Sequence, residues 1–184
     1  MTDIKIKRKL SFKAKTLATL IAIASAVIIP QVCHIAGASA GVGTALGELL
    51  LPMHLPILLV GILAGPLAGC VAGALSPLIS FALTSMPSLI ALPFMIIELA
   101  AYGLICGLLR NTKISTIVKV IIAQVSGRAV RAIAILISYY AIGYTQIAPI
   151  SIINGLKSGI IGIILQLALI PLIVYRVEYA DKQS

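Results

Sequence analysis

The chain has 184 residues, of which 60% are hydrophobic and only 10% are charged, and its mean hydropathy is +1.15. Soluble domains carry about 25% charged residues, so this composition excludes a soluble protein and predicts one integral membrane domain over residues 1–184. The net charge of +9 does not indicate a nucleic-acid partner, because six of the fourteen basic residues precede the first apolar stretch: Lys5, Lys7, Arg8, Lys9, Lys13 and Lys15.

Six apolar segments follow one another along the chain, interrupted by glycine, proline and charged residues. Several approach the roughly 20 residues that a helix needs to cross about 30 Å of hydrocarbon. The second is short and is joined to the third by Gly65-Pro66, a dipeptide that breaks helices. We therefore predict an all-α bundle of six transmembrane helices, at about 14–33, 53–64, 66–84, 89–109, 114–142 and 149–175.

The distribution of positive charge predicts the orientation of these helices. With both termini in the cytoplasm, the cytoplasmic segments contain the N-terminal cluster, Arg110, Lys113, Arg176 and Lys182. The segments on the other side contain no lysine or arginine. Since cytoplasmic loops of membrane proteins carry an excess of Lys and Arg, we expect the N- and C-termini to be cytoplasmic.

The outer loop at 34–52 is long for so small a protein and rich in glycine. Long loops of this kind are often lids or binding elements. The spacing of Gly41, Gly43 and Gly47 does not fit a dinucleotide-binding fingerprint, and no strand precedes them. The loop therefore predicts a lid, and no cofactor is expected.

Four ionisable residues fall well within the predicted spans: Glu98, Arg128, Arg131 and Lys157. An arginine near the centre of a bilayer costs about 2.5–3.5 kcal/mol on insertion scales, so each needs compensation. Counted from the outer ends of their spans, Glu98 and Lys157 lie about 15 Å deep at 1.5 Å per residue. The arginines lie in the middle or outer half of the fifth span, so the four depths nearly coincide.

Helical spacing places other polar side chains beside these charges, since residues three or four apart share a face. The resulting stripes are Gln124, Arg128 and Arg131; Glu98 and Tyr102; and Asn154 and Lys157. Turned inward, they form an outward-facing polar pocket with three cations and one carboxylate. Either Glu98 only neutralises an arginine and fixes helix packing, or the surplus positive charge binds an anionic solute.

Three further features of the sequence carry predictions. Small residues spaced by four let a second helix approach closely in lipid, so the stripe Ala14, Ala18, Ala22 and Ala26 indicates either packing within the bundle or docking of a partner subunit. His54 opens the second span beside the pocket, as a helix-end residue or a ligand contact. The three cysteines, Cys33, Cys70 and Cys106, lack metal-ligand spacing, and we expect no metal site.

These residues carry a resemblance to a known family. The stretch LPMHLPILLVGILAGPLAGCVAGALSPLISFALTSMPSL, followed by MIIELAAYGLICGLL, resembles the substrate-binding S component of bacterial energy-coupling factor (ECF) transporters. The matching features include the HLPILL segment, the Gly65-Pro66 turn with Gly69 and Gly73, the Ser85-Met86-Pro87 loop and Glu98-Leu-Ala-Ala-Tyr102-Gly. The alanine stripe is also similar to the docking motif of this family.

The resemblance implies a non-enzymatic, six-helix subunit of the bacterial cell membrane that captures a vitamin from outside. Its implied partners are a transmembrane T subunit and two cytoplasmic ATPases, and the subunit is implied to topple in the membrane to release its substrate. The segment 34–52 is the implied lid, and the alanine stripe is the implied docking surface. The implied pocket residues are Glu98, Tyr102, Gln124, Arg128, Arg131, Asn154, Lys157 and His54.

The basic charge and the low aromatic content, 5% with no tryptophan, favour an anionic vitamin such as pantothenate, since flat heterocycles are usually held by stacking. Cobalamin, a folate and a pyridoxine-type vitamin stay open as alternatives. Two other classes of protein are alternatives. A stand-alone secondary transporter or channel for a small organic anion should show internal repeats or a coupling-ion site, and an intramembrane enzyme should cluster His and Asp/Glu in its core.

Overall fold

The structure, a computed structural model, describes residues 10–43 and 45–183. These residues form eight α-helices and no β-strand, which agrees with the predicted all-α fold. Lys5, Lys7, Arg8 and Lys9 of the charge argument lie outside the described residues. The helices are α1 (Phe12–Ser39), α2 (Ala45–Leu50), α3 (His54–Ala64), α4 (Pro66–Thr84), α5 (Leu92–Leu108), α6 (Thr116–Tyr140), α7 (Ile150–Ser158) and α8 (Ile160–Gln183).

Five of the described helices are long and apolar enough to cross a membrane: α1, α4, α5 with the 3-10 turn that follows it, α6 and the Ile160–Val177 part of α8. The prediction of six spans therefore holds only in part. The second predicted span is α3, whose 11 residues measure about 16 Å. The sixth, at 149–175, is two helices, because α7 ends at Ser158 and α8 begins at Ile160.

Local sequence explains several helix boundaries. The hydroxyl of Ser11 accepts a hydrogen bond from the amide of Ala14 at 3.2 Å and caps α1, and Ser115 caps α6 in the same way. Side-chain oxygens satisfy amides that have no partner in the first turn of a helix. Gly65 has φ of 105° and is followed by Pro66 at the first position of α4, so the predicted break lies where the sequence placed it.

Close packing of α3 and α4 on α5 depends on glycine. A Cβ atom added at Gly69 would collide with the backbone of Gly103, and one added at Gly103 would collide with Gly69. Gly61 of α3 faces the same Gly103 carbonyl. Small residues at helix interfaces allow backbones to approach closely in membranes. The three helices therefore form the tightest part of the core, with Leu99 and Tyr102 fully buried in it.

The short helix α3 extends from the middle of the bundle to one of its ends. At its start, the ring of His54 lies 5.3 Å from the ring of Tyr102 in the middle of α5. At its end, a Cβ atom at Gly65 would lie 3.7 Å from the Arg110 guanidinium, just beyond the end of α5. Helix α3 therefore does not fill the part of the bundle that lies beyond His54, and the cavity described below lies in that part.

The alanine stripe of α1 faces the protein's own core over much of its length. Ala26 is fully buried and Ala22 is 6% exposed, because α1 packs on α3 and α4. Ala18 is half-buried against the same core, and Ala14 is half-buried near the start of the helix. The docking prediction is thus corrected for Ala22 and Ala26, which pack internally, and only Ala14 and Ala18 stay open to a docking role.

Candidate functional site

A cavity of about 570 Å³ lies at the end of the bundle where α4 ends and α5 begins. This volume is typical of pockets that enclose small ligands. Every helix except α8 contributes to its wall. The lining residues are Pro30, Gln31, His34, Gly47, Leu51, Pro52, Met53, His54, Ser80, Met86, Pro87, Ser88, Ala91, Met95, Glu98, Arg128, Arg131, Asn154, Gly155 and Ser158.

A carboxylate in the cavity wall is fully engaged by protein groups. Glu98 is 1% exposed; its Oε2 accepts from Arg131 Nη1 at 2.8 Å, and its Oε1 accepts from the Tyr102 hydroxyl at 2.6 Å. Charge-assisted hydrogen bonds of this length are strong. The contact that pairs α5 with α6 is therefore an ion pair supported by a phenol, and Glu98 has little remaining capacity to contact a cationic ligand.

The second arginine of α6 has no carboxylate partner among the described residues. Arg128 Nη1 donates to the backbone carbonyl of Gly155 at 3.3 Å, a long bond, and its Nε is buried without a partner. A narrow recess of about 70 Å³ beside the main cavity is lined by both arginines, Glu98 and Ser151. The hydroxyl of Ser151 is also buried without a partner. Buried polar atoms of this kind are normally satisfied by protein, water or a ligand.

Charge in the cavity is consequently smaller than the sequence suggested. Glu98, Arg128 and Arg131 are the charged residues of the described wall, and two positive groups against one negative group leave a surplus of one positive charge. The prediction that Lys157 adds a third cation is corrected. Lys157 is exposed and does not line the cavity, because α7 is a short surface helix with no buried residue.

The other predicted site residues divide between wall and support. His54 and Asn154 line the cavity, together with the three charged residues. Tyr102 lies behind Glu98 and does not line it. Gln124 is buried and donates to Gln166 Oε1 at 2.7 Å, so its side chain also faces away from the cavity wall. These two assignments as direct contacts are therefore corrected to supporting positions.

The predicted lid at 34–52 contributes four residues to the wall: His34, Gly47, Leu51 and Pro52. It is less loop-like than predicted, because α1 continues to Ser39 and the segment contains α2. A Cβ atom at Gly47 would collide with the His34 ring, so α2 contacts the start of the lid segment (residues 34–52) directly.

Sequence reasoning missed several wall residues and one support. Ser80 and Met95 line the cavity from α4 and α5, and Gln166 is a buried amide in α8. Ser76 and Ser80, four residues apart, are a polar stripe that the spacing rule could have identified. Gln166 stands alone in an apolar run, where a buried polar side chain requires a partner. The methionine carries no signal that distinguishes a wall residue from a core residue.

The fold and the cavity together define a multi-pass membrane protein with a solute-sized chamber at one end of an all-helical bundle. A family model described as the substrate-specific component of ECF transporters matches residues 15–175. The chain therefore belongs to this family, whose members are substrate-binding transport subunits rather than enzymes. Neither a curated protein nor a solved structure matches the chain significantly.

Proposed function

We propose that this S component captures an anionic vitamin or vitamin precursor, with pantothenate as the favoured substrate, from the outer face of a bacterial cell membrane. The lid segment closes over the bound solute. A T subunit and two ATPases then drive the toppling of the whole subunit, which releases the solute inward. Glu98, Arg131 and Tyr102 hold the wall in shape, and Arg128, His54 and Asn154 contact the solute.

The observation that carries this proposal is the Arg128 guanidinium. It lies at the cavity with one long bond to a backbone carbonyl and a buried Nε without a partner, while the neighbouring Arg131 is already neutralised by Glu98. An uncompensated charge in a low-dielectric site is costly unless a counter-charge is supplied. A solute carboxylate provides that counter-charge, and a guanidinium can bind it with two parallel hydrogen bonds.

Wall chemistry favours pantothenate over a folate or a pyridoxine-type vitamin. The described wall contains no Phe, Tyr or Trp, so it lacks the stacking surfaces that usually hold flat rings. A folate and a pyridoxine-type vitamin both have such rings. Pantothenate is a flexible chain with a carboxylate at one end and hydroxyl groups at the other, and the wall offers Asn154, Ser158 and Ser88 to such groups.

Binding of two matched ligands to the purified protein tests the proposal. Pantothenol has an alcohol where pantothenate has its carboxylate and is otherwise the same molecule. We expect pantothenate to bind about ten- to a hundredfold more tightly by titration calorimetry, because a hydrogen bond to a charged group contributes about 1.5–3 kcal/mol. Equal affinities for the two, or binding of a cationic vitamin instead, would contradict the assignment of an anionic substrate.

A further inference from the structure

Two buried glutamines connect the helices of the bundle to the end of the lid segment. Gln124 of α6 donates to Gln166 Oε1 of α8 at 2.7 Å, and Gln166 Nε2 donates to the backbone carbonyl of Leu51 at 3.2 Å. Gln124 is 6% exposed and Gln166 is 1% exposed. Neither side chain lines the cavity, whereas Leu51 does. The pair thus reaches the wall of the cavity only through the backbone of Leu51.

Hydrogen-bond chemistry determines the orientation of both amides. A backbone carbonyl can only accept, so Gln166 must direct its NH₂ group to Leu51. Its oxygen then faces Gln124, which must direct its own NH₂ group to Gln166. Gln124 therefore orients Gln166, and Gln166 holds Leu51.

Leu51 is held in a conformation that a leucine rarely adopts. Its φ is 48°, in the left-handed region, where side chains other than those of glycine, asparagine and aspartate are uncommon. A strained backbone conformation of this kind persists only where neighbouring groups hold it in place. The Leu51 carbonyl accepts from both the His54 amide at 3.1 Å and Gln166, and the Leu51 amide donates to Gly47 at 3.2 Å.

The start of α8 also packs directly against the backbone at the end of α2. A Cβ atom at Gly162 would lie 2.7 Å from the carbonyl carbon and oxygen of Leu50, and one at Gly159 would lie 2.8 Å from Leu51 Cδ1. Gly162 and Gln166 are four residues apart and share one face of α8. One face of this helix therefore combines a close backbone contact with a directed hydrogen bond to the same three residues, Leu49–Leu51.

We propose that Gln166, oriented by Gln124, anchors the end of the lid segment at Leu49–Leu51 on α8 and thereby sets the rate at which bound solute leaves the cavity. The proposal rests on the proposed function only for its statement about solute. Both glutamines act as positioning residues: Gln166 contacts the backbone of the lid segment, and Gln124 contacts Gln166. A leucine at either position would pack as well in this apolar bundle. Burying an amide costs free energy unless it forms hydrogen bonds, so the two glutamines are expected to have a specific role.

The same substitution at the two positions gives a matched test. Methionine has nearly the shape of glutamine but does not donate a hydrogen bond. Gln166→Met removes the bond to Leu51, whereas Gln124→Met leaves that bond in place. Hydrogen exchange is measured on the ligand-free protein in nanodiscs. We expect Gln166→Met to accelerate exchange at residues 46–54 and Gln124→Met to accelerate it less. Exchange in α4 and α5 should stay unchanged in both variants. Unchanged exchange at 46–54, or equal changes throughout the protein in both variants, overturns the proposal.

Dissociation kinetics provide the second readout, with radiolabelled pantothenate as the probe. We expect Gln166→Met to release it about three- to tenfold faster, in line with the loss of one neutral hydrogen bond, with little change in the association rate. The double variant should match Gln166→Met alone, because Gln124 acts through Gln166. Equal dissociation rates in Gln166→Met and the unsubstituted protein overturn the proposal.

Two further outcomes separate possible failures. If Gln166→Met does not fold, Gly162→Ala perturbs the same anchor from α8 without touching the amides and should also accelerate exchange at 46–54; normal exchange there overturns the proposal. If the unsubstituted protein does not bind pantothenate, the proposed substrate is wrong, while the exchange experiment still decides whether the anchor exists.

Discussion

Two arginines on one face of α6 have different hydrogen-bond partners. Arg131 is paired with the buried Glu98 at 2.8 Å, and removing either partner would leave an uncompensated charge inside the bundle. Arg128 has only the Gly155 carbonyl, at 3.3 Å. We therefore propose that Arg131 stabilises the cavity wall and that Arg128 binds the anionic solute.

Replacing Arg128 tests this division of roles. We expect Arg128→Ala to weaken pantothenate binding about ten- to a hundredfold, because a charge-assisted hydrogen bond is lost, and to leave the melting temperature in detergent nearly unchanged. The matched control is Lys157→Ala, which removes a cation that is exposed and outside the cavity wall and should bind normally. Titration calorimetry measures both, and an unaltered affinity in Arg128→Ala would remove this residue from the site.

At the scale of elements, the cavity exists because the helices are separated at one end of the bundle and pack closely along the rest of it. Gly69, Gly73 and Gly103 bring α4 against α5. Gly127 lets α6 approach the Tyr102 ring, which places the phenol behind Glu98. The short α3 begins at His54, directly beneath the cavity, so it does not fill the cavity end of the bundle. Close packing of the lower half thus positions the polar wall of the upper half.

Glycine packing predicts a stability effect that is separate from binding. We expect Gly103→Ala to lower the free energy of unfolding by about 1–3 kcal/mol, as overpacking does, because the added methyl group collides with the Gly69 backbone. The control is Gly155→Ala, where an added Cβ atom meets nothing within 4 Å. Thermal unfolding in detergent compares the two, and equal melting temperatures would mean that α4 and α5 can separate without cost.

On the scale of the whole molecule, the cavity lies at one end of the bundle, and four of the described basic residues lie at the other. Lys13, Lys15, Arg110 and Lys113 occur at the ends of α1, α5 and α6 that are remote from the cavity. Under the predicted orientation these charges face the cytoplasm and the cavity opens outward. Capture and delivery would therefore occur at opposite faces, so delivery requires movement of the subunit or its partners.

Association with partner subunits can be tested at the scale of the whole molecule. Co-expressed with a T subunit and two ATPases, the chain should copurify with them and support ATP-dependent uptake of pantothenate. Ala14→Leu should reduce the recovered T subunit, because it fills the part of the alanine stripe left open by the protein's own core. Ala24→Leu, at an exposed position off that stripe, is the control and should copurify normally.

The contrary outcomes are specific. Uptake of pantothenate by the chain alone, without ATPases, would identify a stand-alone transporter and contradict the dependence on partners. Normal recovery of the T subunit with Ala14→Leu would show that the subunit docks elsewhere on the molecule.

Several features followed from local patterns alone. Apolar segments of membrane length identified most of the helices, and Gly65-Pro66 marked the α3–α4 break, because backbone geometry at a proline is a local property. Helical spacing also grouped Glu98 with Tyr102 and Arg128 with Arg131. The motifs at 51–109 led to the family, which the family match confirmed.

What the sequence by itself determined was the membrane class, the helices and the charges inside them, because hydropathy and helical period depend only on neighbouring residues. Only the tertiary structure decided which partner each face meets. It assigned Glu98 to Arg131, turned Gln124 to Gln166, placed Ala22 and Ala26 in the core and left Lys157 outside. The physical reason is that periodicity states which residues share a face of a helix, whereas the neighbour of that face is chosen by packing between helices far apart in the chain.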